Sequence, residues 1–469
     1  MPRDERSTDA AVSDPSAAPA TDAERVAVAC LRAGIEASLP ATVVAEAVSI
    51  EESVLAVGDD TYDLDAYGRI VVVGGGKAAD GAASALESIL GDQIAAGVIV
   101  VDSADDSDGG DDAGESRIER VVGGHPVPTS AGVHGTTRAV DLARAADEET
   151  LVLALVTGGA SALFAAPVDS VGLPALRETT DALLSAGADI EEINAVRKHL
   201  SRVKGGRLAA AAAPATVVGI ALSDVVGDDL SVIGSGPTAP DDSTYETGLD
   251  VLDRYGIDAP PAVREHLQRG AEGAEPETPT ADATVFDRVD THVLANAATA
   301  LEAAAAAAAD QGYDPIVLSS RIRGEARAAG VTHAAVAEEI ADSGNPIEPP
   351  AVVLSGGETT VSVQGDGTGG PNLECALAAG IEFALPESPV ADRPVAFLAA
   401  DTDGRDGSTD AAGALVTAQT VGNAADAAAA RAALDDNDAL SALRDRDALI
   451  RTGATGTNVN DLRVVVVGQ

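Results

Sequence analysis

Residues 69–90 read RIVVVGGGKAADGAASALESIL, and this stretch decides the fold. A run of apolar, mostly β-branched residues predicts a buried strand over 69–73. Three glycines follow the run, and the alanine-rich segment 77–90 predicts a helix. A second apolar run predicts the next strand over 97–101. Strand, glycine turn, helix and strand in this order are typical of a parallel α/β unit.

The same alternation continues along the chain and predicts two α/β domains. Further buried strands are expected at 151–156, 217–222, 291–294, 316–318, 351–354, 395–399 and 462–467. Helices are expected at 173–186 and over the whole of 190–213. The polar residues 1–22 are expected to form a disordered leader. A linker at 270–284 would then separate an N-terminal domain, 23–269, from a C-terminal domain, 285–469.

The chain of 469 residues carries 76 acidic and 30 basic side chains, a formal net charge of −46. Such a balance argues against a nucleic-acid partner, because a phosphate backbone needs Lys and Arg to replace its counterions. It also disfavours binding to an anionic membrane surface. The acidic residues are spread along the chain, which favours a surface adapted to a salt-rich cytoplasm, where salt screens the self-repulsion.

No targeting or membrane signal is visible in the sequence. No apolar run approaches the roughly 18 residues of a membrane helix, and the polar N-terminus lacks the apolar core of a secretory signal. The two cysteines match no disulfide framework or zinc spacing. We therefore expect a cytoplasmic protein that acts on small molecules. The sequence leaves its oligomeric state open, with a homodimer as one option.

Lysine is almost absent, and the few that remain lie in glycine-rich or basic motifs. The three lysines are Lys77, Lys198 and Lys204, against 27 arginines. The segment 193–209, INAVRKHLSRVKGGRLA, adds Arg197, Arg202 and Arg207 to two of these lysines. A solvated helical face is the usual explanation of a charge run. In so acidic a chain, however, five clustered cations favour an anionic substrate or a polyphosphate.

Several apolar strands run into loops of small residues, where α/β proteins bind ligands. Glycine loops let backbone N–H groups approach phosphate oxygens. The loop with Lys77 is not a Walker A motif, since Ala78 follows the lysine, but Gly74, Gly76 and Ala79 loosely fit a dinucleotide fingerprint. The candidate binding residues are Gly75, Gly76, His125, Gly158, Gly159, Ser161, Asn194, Arg197, Lys198, Lys204, Ser235, Gly236 and Glu358.

Carboxylates follow two of the predicted strands. Asp224 ends one of them, and the segment LAADTDGRDGSTDAAG, 398–413, places Asp403 and Asp406 on either side of Arg405. Carboxylate oxygens suit Mg²⁺, a hard cation, so Asp403 and Asp406 are candidate metal ligands. In an acidic chain an ordinary connecting loop is the competing explanation for each of these motifs.

Taken together, the motifs resemble the glycerate 2-kinase family, whose C-terminal half is the MOFRL domain. They are GGGKA (74–78), GGHPVP (123–128), VRKHLSRVKGGRLA (196–209), SDVVGDDLSVIGSGPT (223–238), LSGGETTV (354–361), DTDGRDG (401–407) and TGTNVND (455–461). The resemblance implies a Rossmann-like N-terminal α/β/α domain, a smaller α/β C-terminal domain and an active site in the cleft between them. It also implies phosphorylation of D-glycerate to 2-phosphoglycerate by ATP with Mg²⁺.

The resemblance also assigns residue roles. The lysine of GGGKA is regarded as catalytic in the family, which points to Lys77. The chemistry of phosphoryl transfer, and not the resemblance, adds two catalytic candidates: Asp224 as acceptor of the hydroxyl proton, and Arg405. The family commonly shows Arg-Asn-Gln-Glu where this chain has Pro-Asn-Leu-Glu, so Pro371 stands in place of a plausible phosphate ligand. We hypothesise that Arg405 or Arg323 replaces the missing arginine.

Two other functions remain open at this stage. An NAD(P)-dependent hydroxypyruvate reductase would explain the loose dinucleotide fingerprint and Asp102 at the end of the next strand, but no coherent His-Arg-acid set for hydride transfer is visible. A non-catalytic sugar-phosphate sensor would explain the glycine loops and cations. It would not explain the aspartate cluster or the retained Lys77.

Overall fold

The computed structural model describes residues 21–103 and 116–469. Within these ranges the chain forms α-helices and β-strands that alternate for most of its length. The strands are β1 (Val48–Glu51), β2 (Val54–Val57), β3 (Asp60–Asp63), β4 (Arg69–Gly75), β5 (Ile94–Val101), β6 (Ile118–Val122), β7 (Thr150–Thr157), β8 (Thr216–Leu222), β9 (Val289–Ala295), β10 (Asp314–Glu325), β11 (Ala351–Thr360), β12 (Val395–Asp401), β13 (Gly413–Thr417), β14 (Leu449–Ile450) and β15 (Asp461–Val467). The helices are α1 (Asp22–Ala37), α2 (Pro40–Ala47), α3 (Ala79–Leu90), α4 (Ser130–Arg144), α5 (Ala160–Leu163), α6 (Gly172–Ser185), α7 (Ile190–His199), α8 (Arg207–Ala212), α9 (Tyr245–Arg254), α10 (Pro261–Ala271), α11 (Ala297–Asp310), α12 (Ala326–Ser343), α13 (Pro371–Phe383), α14 (Ala424–Asp435) and α15 (Ala439–Arg444).

Residues 40–295 form one compact unit, which we call the central unit. Its main sheet has six parallel strands in the order β6-β5-β4-β7-β8-β9. Alternate residues of β4 enter different cores, so that Val72 packs with α3 while Val71 and Val73 pack with α4 and α8. Helices therefore cover both faces of the sheet, which explains why β7 and β8 are buried along their whole length. The predicted parallel α/β/α architecture is confirmed.

Residues 21–39 and 296–469 belong to a second compact unit, which we call the terminal unit because it contains the first and the last described residues. Its sheet has the order β10-β11-β15-β12-β13-β14. Only β10 and β11 pair in parallel, and the other neighbours are antiparallel. One face packs against α1 and α11, and the other packs against α12, α13 and α14. The predicted α/β C-terminal fold is confirmed.

The compact units differ from the expected domain limits at both ends of the central unit. Helix α1 was expected in the N-terminal domain, but it buries Val26, Leu31 and Ile35 in a core shared with β12 and β15. The expected linker at 270–284 is an integral part of the central unit, because Thr278 is buried and its hydroxyl donates to Asp241. Burial of apolar side chains places α1 in the terminal unit. Hydrogen bonding holds the segment 270–284 in the central unit despite its polar, linker-like composition. The expected leader lies outside the described residues except for Thr21, which caps α1, and Asp22.

Three further features were not predicted from the sequence. The antiparallel sheet β1-β2-β3 and strand β6 carry only short or mixed apolar patterns. The segment 190–213 is two helices, since α7 ends at His199 and α8 begins at Arg207. Between these two helices, Gly205 and Gly206 adopt positive φ angles of 56° and 73°, which are incompatible with a continuous α-helix. The break places Lys204 in a turn.

No single helix among residues 21–103 and 116–469 has the length and apolar composition needed to cross a membrane. Helices α1 and α2 meet those two criteria only when they are counted together across the bend that separates them.

Candidate active site

The loops that follow β4 and β7 are joined by backbone hydrogen bonds at the carboxyl edge of the parallel sheet. The N–H of Lys77 donates to the carbonyl of Gly158 at 2.8 Å, and the N–H of Ala78 donates to Oγ1 of Thr157 at 3.2 Å. Gly76 has a φ of 135°, and a Cβ atom there would lie 2.1 Å from Thr157 Oγ1. Only glycine permits this approach, which explains the glycine run before the lysine.

Lys77 and His125 flank Gly159 at the start of α5. A Cβ atom on Gly159 would lie 3.2 Å from Cγ of Lys77 and 3.1 Å from Cδ2 of His125. Lys77 is half-buried, whereas His125 is exposed. The structure therefore brings together the candidates from three separate motifs, those of 74–78, 123–128 and 156–163.

A polar chain links the loop after β7 to the segment before α9. Oγ of Ser161 lies 3.0 Å from Oγ of Ser235, and the Ser235 hydroxyl donates to Oδ1 of Asn194 at 3.0 Å. Ser235 has a φ of 65°, between two glycines that also have positive φ. A non-glycine residue in this region is uncommon and marks a constrained backbone. Nδ2 of Asn194 is buried and has no hydrogen-bond partner among the residues that the structure describes.

Arg197 and Lys204, which we call the cation pair, lie beside this polar chain. The guanidinium of Arg197 makes no hydrogen bond or ion pair within residues 21–103 and 116–469. Burial lowers the pKa of Arg197, and the more distant negative charge of Asp181 opposes this only in part. Lys204 is 3% exposed, and its ammonium donates to the carbonyl of Gly234 at 3.3 Å. Burial, and then the charge of Arg197, lower the pKa of Lys204 to about 7. An anion bound here would relieve both effects.

The other three cations of the 193–209 segment have partners within the central unit. The ammonium of Lys198 lies 2.9 Å from Oδ1 of Asp241, and both side chains are buried. Arg202 donates to the carbonyl of Pro167, and Arg207 donates to the hydroxyl of Tyr245. The geometry does not support the expectation that Lys198 binds substrate, because a buried carboxylate already satisfies its charge.

Two further candidates lie on loops after strands of the central unit. Asp224 follows β8 at the same edge of the parallel sheet as Lys77, and it is half-buried. Gly236 follows Ser235, and its carbonyl accepts the N–H of Gly206 at 2.7 Å. This bond connects the segment before α9 to the turn that carries Lys204.

In the terminal unit, Asp406 is a structural residue, which corrects its assignment as a metal ligand. Its carboxylate accepts the N–H groups of Asn372 at 3.0 Å and Leu373 at 2.8 Å, at the N-terminus of α13. It is 1% exposed, and burial, with the nearby Asp461, raises its pKa to about 7 against the effect of these donors. Its oxygens are therefore occupied. No group of three or more metal-ligating side chains occurs in the described parts of the chain.

Asp403, Arg405 and Glu358 have accessible side chains. Asp403 is half-buried and accepts the N–H of Arg405 at 2.8 Å, whereas Glu358 lies exposed near the end of β11. The guanidinium of Arg405 is exposed and has no hydrogen-bond or ion-pair partner in the part of the chain that the structure describes. Each of these three side chains could meet a ligand from solvent.

The position of Pro371 bears on the missing family arginine. Pro371 is the first residue of α13, where proline is favoured because it lacks the N–H that any other residue would leave without an intrahelical partner at this position. The neighbouring Gly370 packs so closely on Asp406 that a Cβ atom there would lie 2.4 Å from the Asp406 Cγ. Arg405 is thus adjacent to the residue that contacts the start of α13. Arg323, on β10, is instead opposite Glu358 in the strand register.

Sequence reasoning missed four buried polar residues that organise these sites. In the central unit, Asp241 accepts hydrogen bonds from the ammonium of Lys198 and the hydroxyl of Thr278. In the terminal unit, Asp461 pairs with Arg463. Arg463 could have been found, because it is a single arginine in an otherwise apolar strand, DLRVVVV. Asp241 and Thr278 carry no such signal, because each lies in a loop that contains other acidic residues and threonines.

Known proteins match this chain over most of its length. The sequence profile of a domain of unknown function, DUF4147, matches residues 26–268, and that of the MOFRL family matches residues 351–461. The chain is 39% identical to the D-glycerate 2-kinase of Thermotoga maritima, over 85% of this chain and 91% of that protein. It is also 39% identical to a putative hydroxypyruvate reductase of Agrobacterium vitis, over 86% of this chain and 100% of that protein.

The fold is also that of a solved structure. The crystal structure of glycerate kinase from Thermotoga maritima superposes with a TM-score of 0.78 at 36% identity, covering 95% of this chain and 99% of that one. Together with the two domain matches and the sequence identity, this shows that the chain belongs to the glycerate 2-kinase family.

Proposed function

We propose that the protein transfers a phosphoryl group from ATP to the 2-hydroxyl of D-glycerate, giving 2-phosphoglycerate and ADP. The observation that carries the proposal is the cation pair, Arg197 and Lys204, which lies beside Ser235 and has no carboxylate partner within residues 21–103 and 116–469. A ligand with a carboxylate or phosphate supplies the missing negative charge. The family membership and the name of the Thermotoga relative support glycerate as that ligand.

In the proposed mechanism, cationic side chains neutralise the negatively charged groups of the two substrates. Phosphoryl transfer depends on positioning and charge neutralisation more than on covalent chemistry by the protein. In our proposal Lys77 neutralises the transferring phosphoryl group, and Arg197 and Lys204 bind the carboxylate of glycerate. The glycine loop at 158–159 brings backbone close to Lys77, and glycine lets phosphate oxygens approach it.

Mg²⁺ would accompany ATP and neutralise phosphate oxygens. Mg²⁺ needs only one or two protein carboxylates when phosphates supply its other ligands. Asp224 of the central unit, or independently Asp403 of the terminal unit, fits this requirement as a single ligand, because each is a half-buried carboxylate on a loop after a strand, whereas Asp406 does not fit it. Asp224 is also our candidate acceptor for the proton of the 2-hydroxyl.

We propose that Arg405 supplies the positive charge of the missing family arginine. Its accessible guanidinium and its position next to Asp406, which binds the start of α13, support this choice over Arg323. If Arg405→Ala retains full turnover while Arg323→Ala loses it, the assignment is reversed. Full turnover in both variants contradicts the hypothesis altogether.

The test of the reaction is ADP release from ATP on addition of D-glycerate, with the product identified by phosphorus NMR. Lys77→Ala should fold normally and lose at least about a hundredfold in kcat, which is typical when one transition-state donor is removed. Arg138→Ala is the matched control, because Arg138 pairs with Glu119 on the surface. Wild-type turnover in Lys77→Ala would remove that residue from the mechanism.

The alternative is an NAD(P)-dependent hydroxypyruvate reductase. The Agrobacterium relative bears that name, and Gly74, Gly76 and Ala79 fit the loose dinucleotide fingerprint. Loss of reduced-nicotinamide absorbance on adding hydroxypyruvate, without ADP release from ATP and glycerate, would favour the reductase.

We propose further that the protein works in a salt-rich cytoplasm. The net charge of −46 supports this, since concentrated salt would screen the repulsion that destabilises such a surface. The midpoint of thermal unfolding should rise steeply as KCl is added from the millimolar to the molar range. A midpoint that is independent of KCl would contradict the adaptation.

A further inference from the structure

We propose that Thr278 and Asp241 are positioning residues for Lys204. Together with Lys198 they form a buried support, which we call the turn support, beneath the turn that carries Lys204. The inference rests on the proposed function, because it concerns how the cation pair is held ready for the carboxylate of glycerate.

The turn support is a closed set of hydrogen bonds around one carboxylate. Oδ1 of Asp241 accepts the Lys198 ammonium at 2.9 Å, and Oδ2 accepts the hydroxyl of Thr278 at 2.9 Å. The hydroxyl of Ser243 lies 2.9 Å from both oxygens. Asp241, Lys198 and Thr278 are 3%, 6% and 3% exposed, so these bonds are shielded from water. The group is therefore well ordered, neutral overall and not itself accessible to a ligand.

The turn rests directly on this group. Gly205 has a φ of 56°, and a Cβ atom there would lie 3.0 Å from Cγ2 of Thr278, 3.1 Å from Oδ2 of Asp241 and 3.2 Å from Cβ of Lys198. No side chain fits between Gly205 and the three members of the turn support without tight contacts, so the turn packs closely on them. We therefore expect a displacement of Thr278 or Asp241 to alter the position of the residue that follows Lys204.

The opposite side of the turn faces the polar chain of the site. The N–H of Gly205 donates to the carbonyl of Ser235 at 3.0 Å, and the Lys204 ammonium donates to the carbonyl of Gly234 at 3.3 Å. Lys204 is therefore held between the turn support and the constrained segment that contains Ser235. This arrangement fixes an ammonium that no carboxylate of the described residues contacts.

Charge explains why the support uses an ion pair. Burial alone would raise the pKa of Asp241, but the Lys198 ammonium and the bonds from Thr278 and Ser243 outweigh it, and the pKa is lowered. An ionised Asp241 balances Lys198, so the support adds no net positive charge next to Lys204. Glu277 strengthens the attachment, because its carboxylate lies 3.0 Å from Nε2 of His199, the residue after Lys198.

The decisive variant is Thr278→Val, which keeps the shape of the side chain and removes its hydroxyl. We expect the KM for D-glycerate to rise about five- to twentyfold, less than for most lost hydrogen bonds to a charged group because Thr278 acts through Lys204, with a much smaller change in kcat. Thr280→Val is the matched control, because Thr280 is exposed and its hydroxyl bonds only to Asp282 among the described residues. Thr278→Ser retains the hydroxyl and should restore the wild-type KM. Asp241→Asn, which weakens the same carboxylate, should raise KM in the same direction.

A double-mutant cycle separates positioning from general stability. If Thr278 acts through Lys204, Thr278→Val should have no further effect on KM in the Lys204→Met background. Effects that multiply independently, or a Thr278→Val protein that is less stable but has wild-type KM, would overturn the proposal. If the wild type releases no ADP with D-glycerate, the proposed function fails, and the same cycle read by calorimetric binding of inorganic phosphate still tests the positioning. Phosphate affinity that is equal in wild type and Thr278→Val would then overturn it.

Discussion

Two arrangements of charge at buried or half-buried side chains, one in each unit, have opposite character. In the central unit, Arg197 and Lys204 lie close together and have no carboxylate partner among the described residues. In the terminal unit, Arg463 is fully buried but pairs with Asp461, which also accepts the side-chain amide of Asn372 at 2.6 Å. The first arrangement lacks negative charge, and the second is balanced.

The difference shows which buried charges indicate a ligand. An unpaired buried charge costs several kcal/mol, so a protein keeps one only where something else compensates for it. A paired charge needs no ligand and stabilises the surrounding structure instead. By this criterion we expect the cation pair to bind a ligand, whereas Asp461 and Arg463 are part of the architecture.

The largest effect should come from breaking the balanced arrangement. Asp461→Ala leaves Arg463 buried without its carboxylate, and Nε and Nη1 of Arg463 already lack partners within the described residues. Removing one member of a buried pair costs about 3–5 kcal/mol. Chemical denaturation should therefore show a loss of that size in the free energy of unfolding.

Asp410→Ala is the control for this measurement. Asp410 pairs with Arg451 at 3.3 Å on the surface, where a salt bridge contributes at most about 1 kcal/mol. Equal stability losses in Asp461→Ala and Asp410→Ala would contradict the distinction between the two arrangements.

The next effect concerns the cation pair, where we expect a loss of activity without a loss of stability. Lys204→Met should lower kcat/KM for D-glycerate about a hundredfold, because a charged hydrogen bond to the substrate contributes about 1.5–3 kcal/mol. The unfolding free energy should stay the same or increase, since the variant removes a buried charge. Steady-state kinetics and denaturation on the same samples test both parts. A variant that loses stability but keeps its activity would make Lys204 structural.

The smallest effect is a pH dependence. The pKa of Lys204 is lowered to about 7, so its ammonium is charged below that pH and neutral above it. The KM for D-glycerate should therefore rise as the pH increases above about 7, by roughly tenfold per pH unit if the charge is required. Lys204→Arg, whose guanidinium stays charged, should flatten the profile. A wild-type KM that is constant from pH 6 to 9 would contradict this assignment.

Much of the fold followed from local patterns, and its exceptions have physical causes. The run at 69–73 and the helix after Lys77 appear as predicted, because buried parallel strands are continuously apolar and alanine favours helix. The sequence of helix α1 did not indicate that it packs on β12 and β15, because an amphipathic pattern predicts a buried face but not the elements that bury it. The 190–213 helix was interrupted because tertiary hydrogen bonds hold Gly205 and Gly206 in a turn.

The candidate site shows the same division. The sequence identified the cluster of five cations but could not separate Arg197 and Lys204 from Lys198, because the difference is the position of Asp241. It grouped Asp403 with Asp406, although only Asp406 binds the N-terminus of a helix. Sequence spacing cannot show which carboxylate faces a distant backbone.

The sequence by itself determined the α/β class, the acidic surface, the family and the retention of a few cations at glycine turns. These properties depend on composition and on the order of neighbouring residues, and both can be read directly from the sequence. Only the tertiary structure decided which cations are paired. Pairing depends on residues far apart in sequence, such as Lys198 with Asp241 and Asp241 with Thr278, and burial then makes each unpaired charge energetically significant.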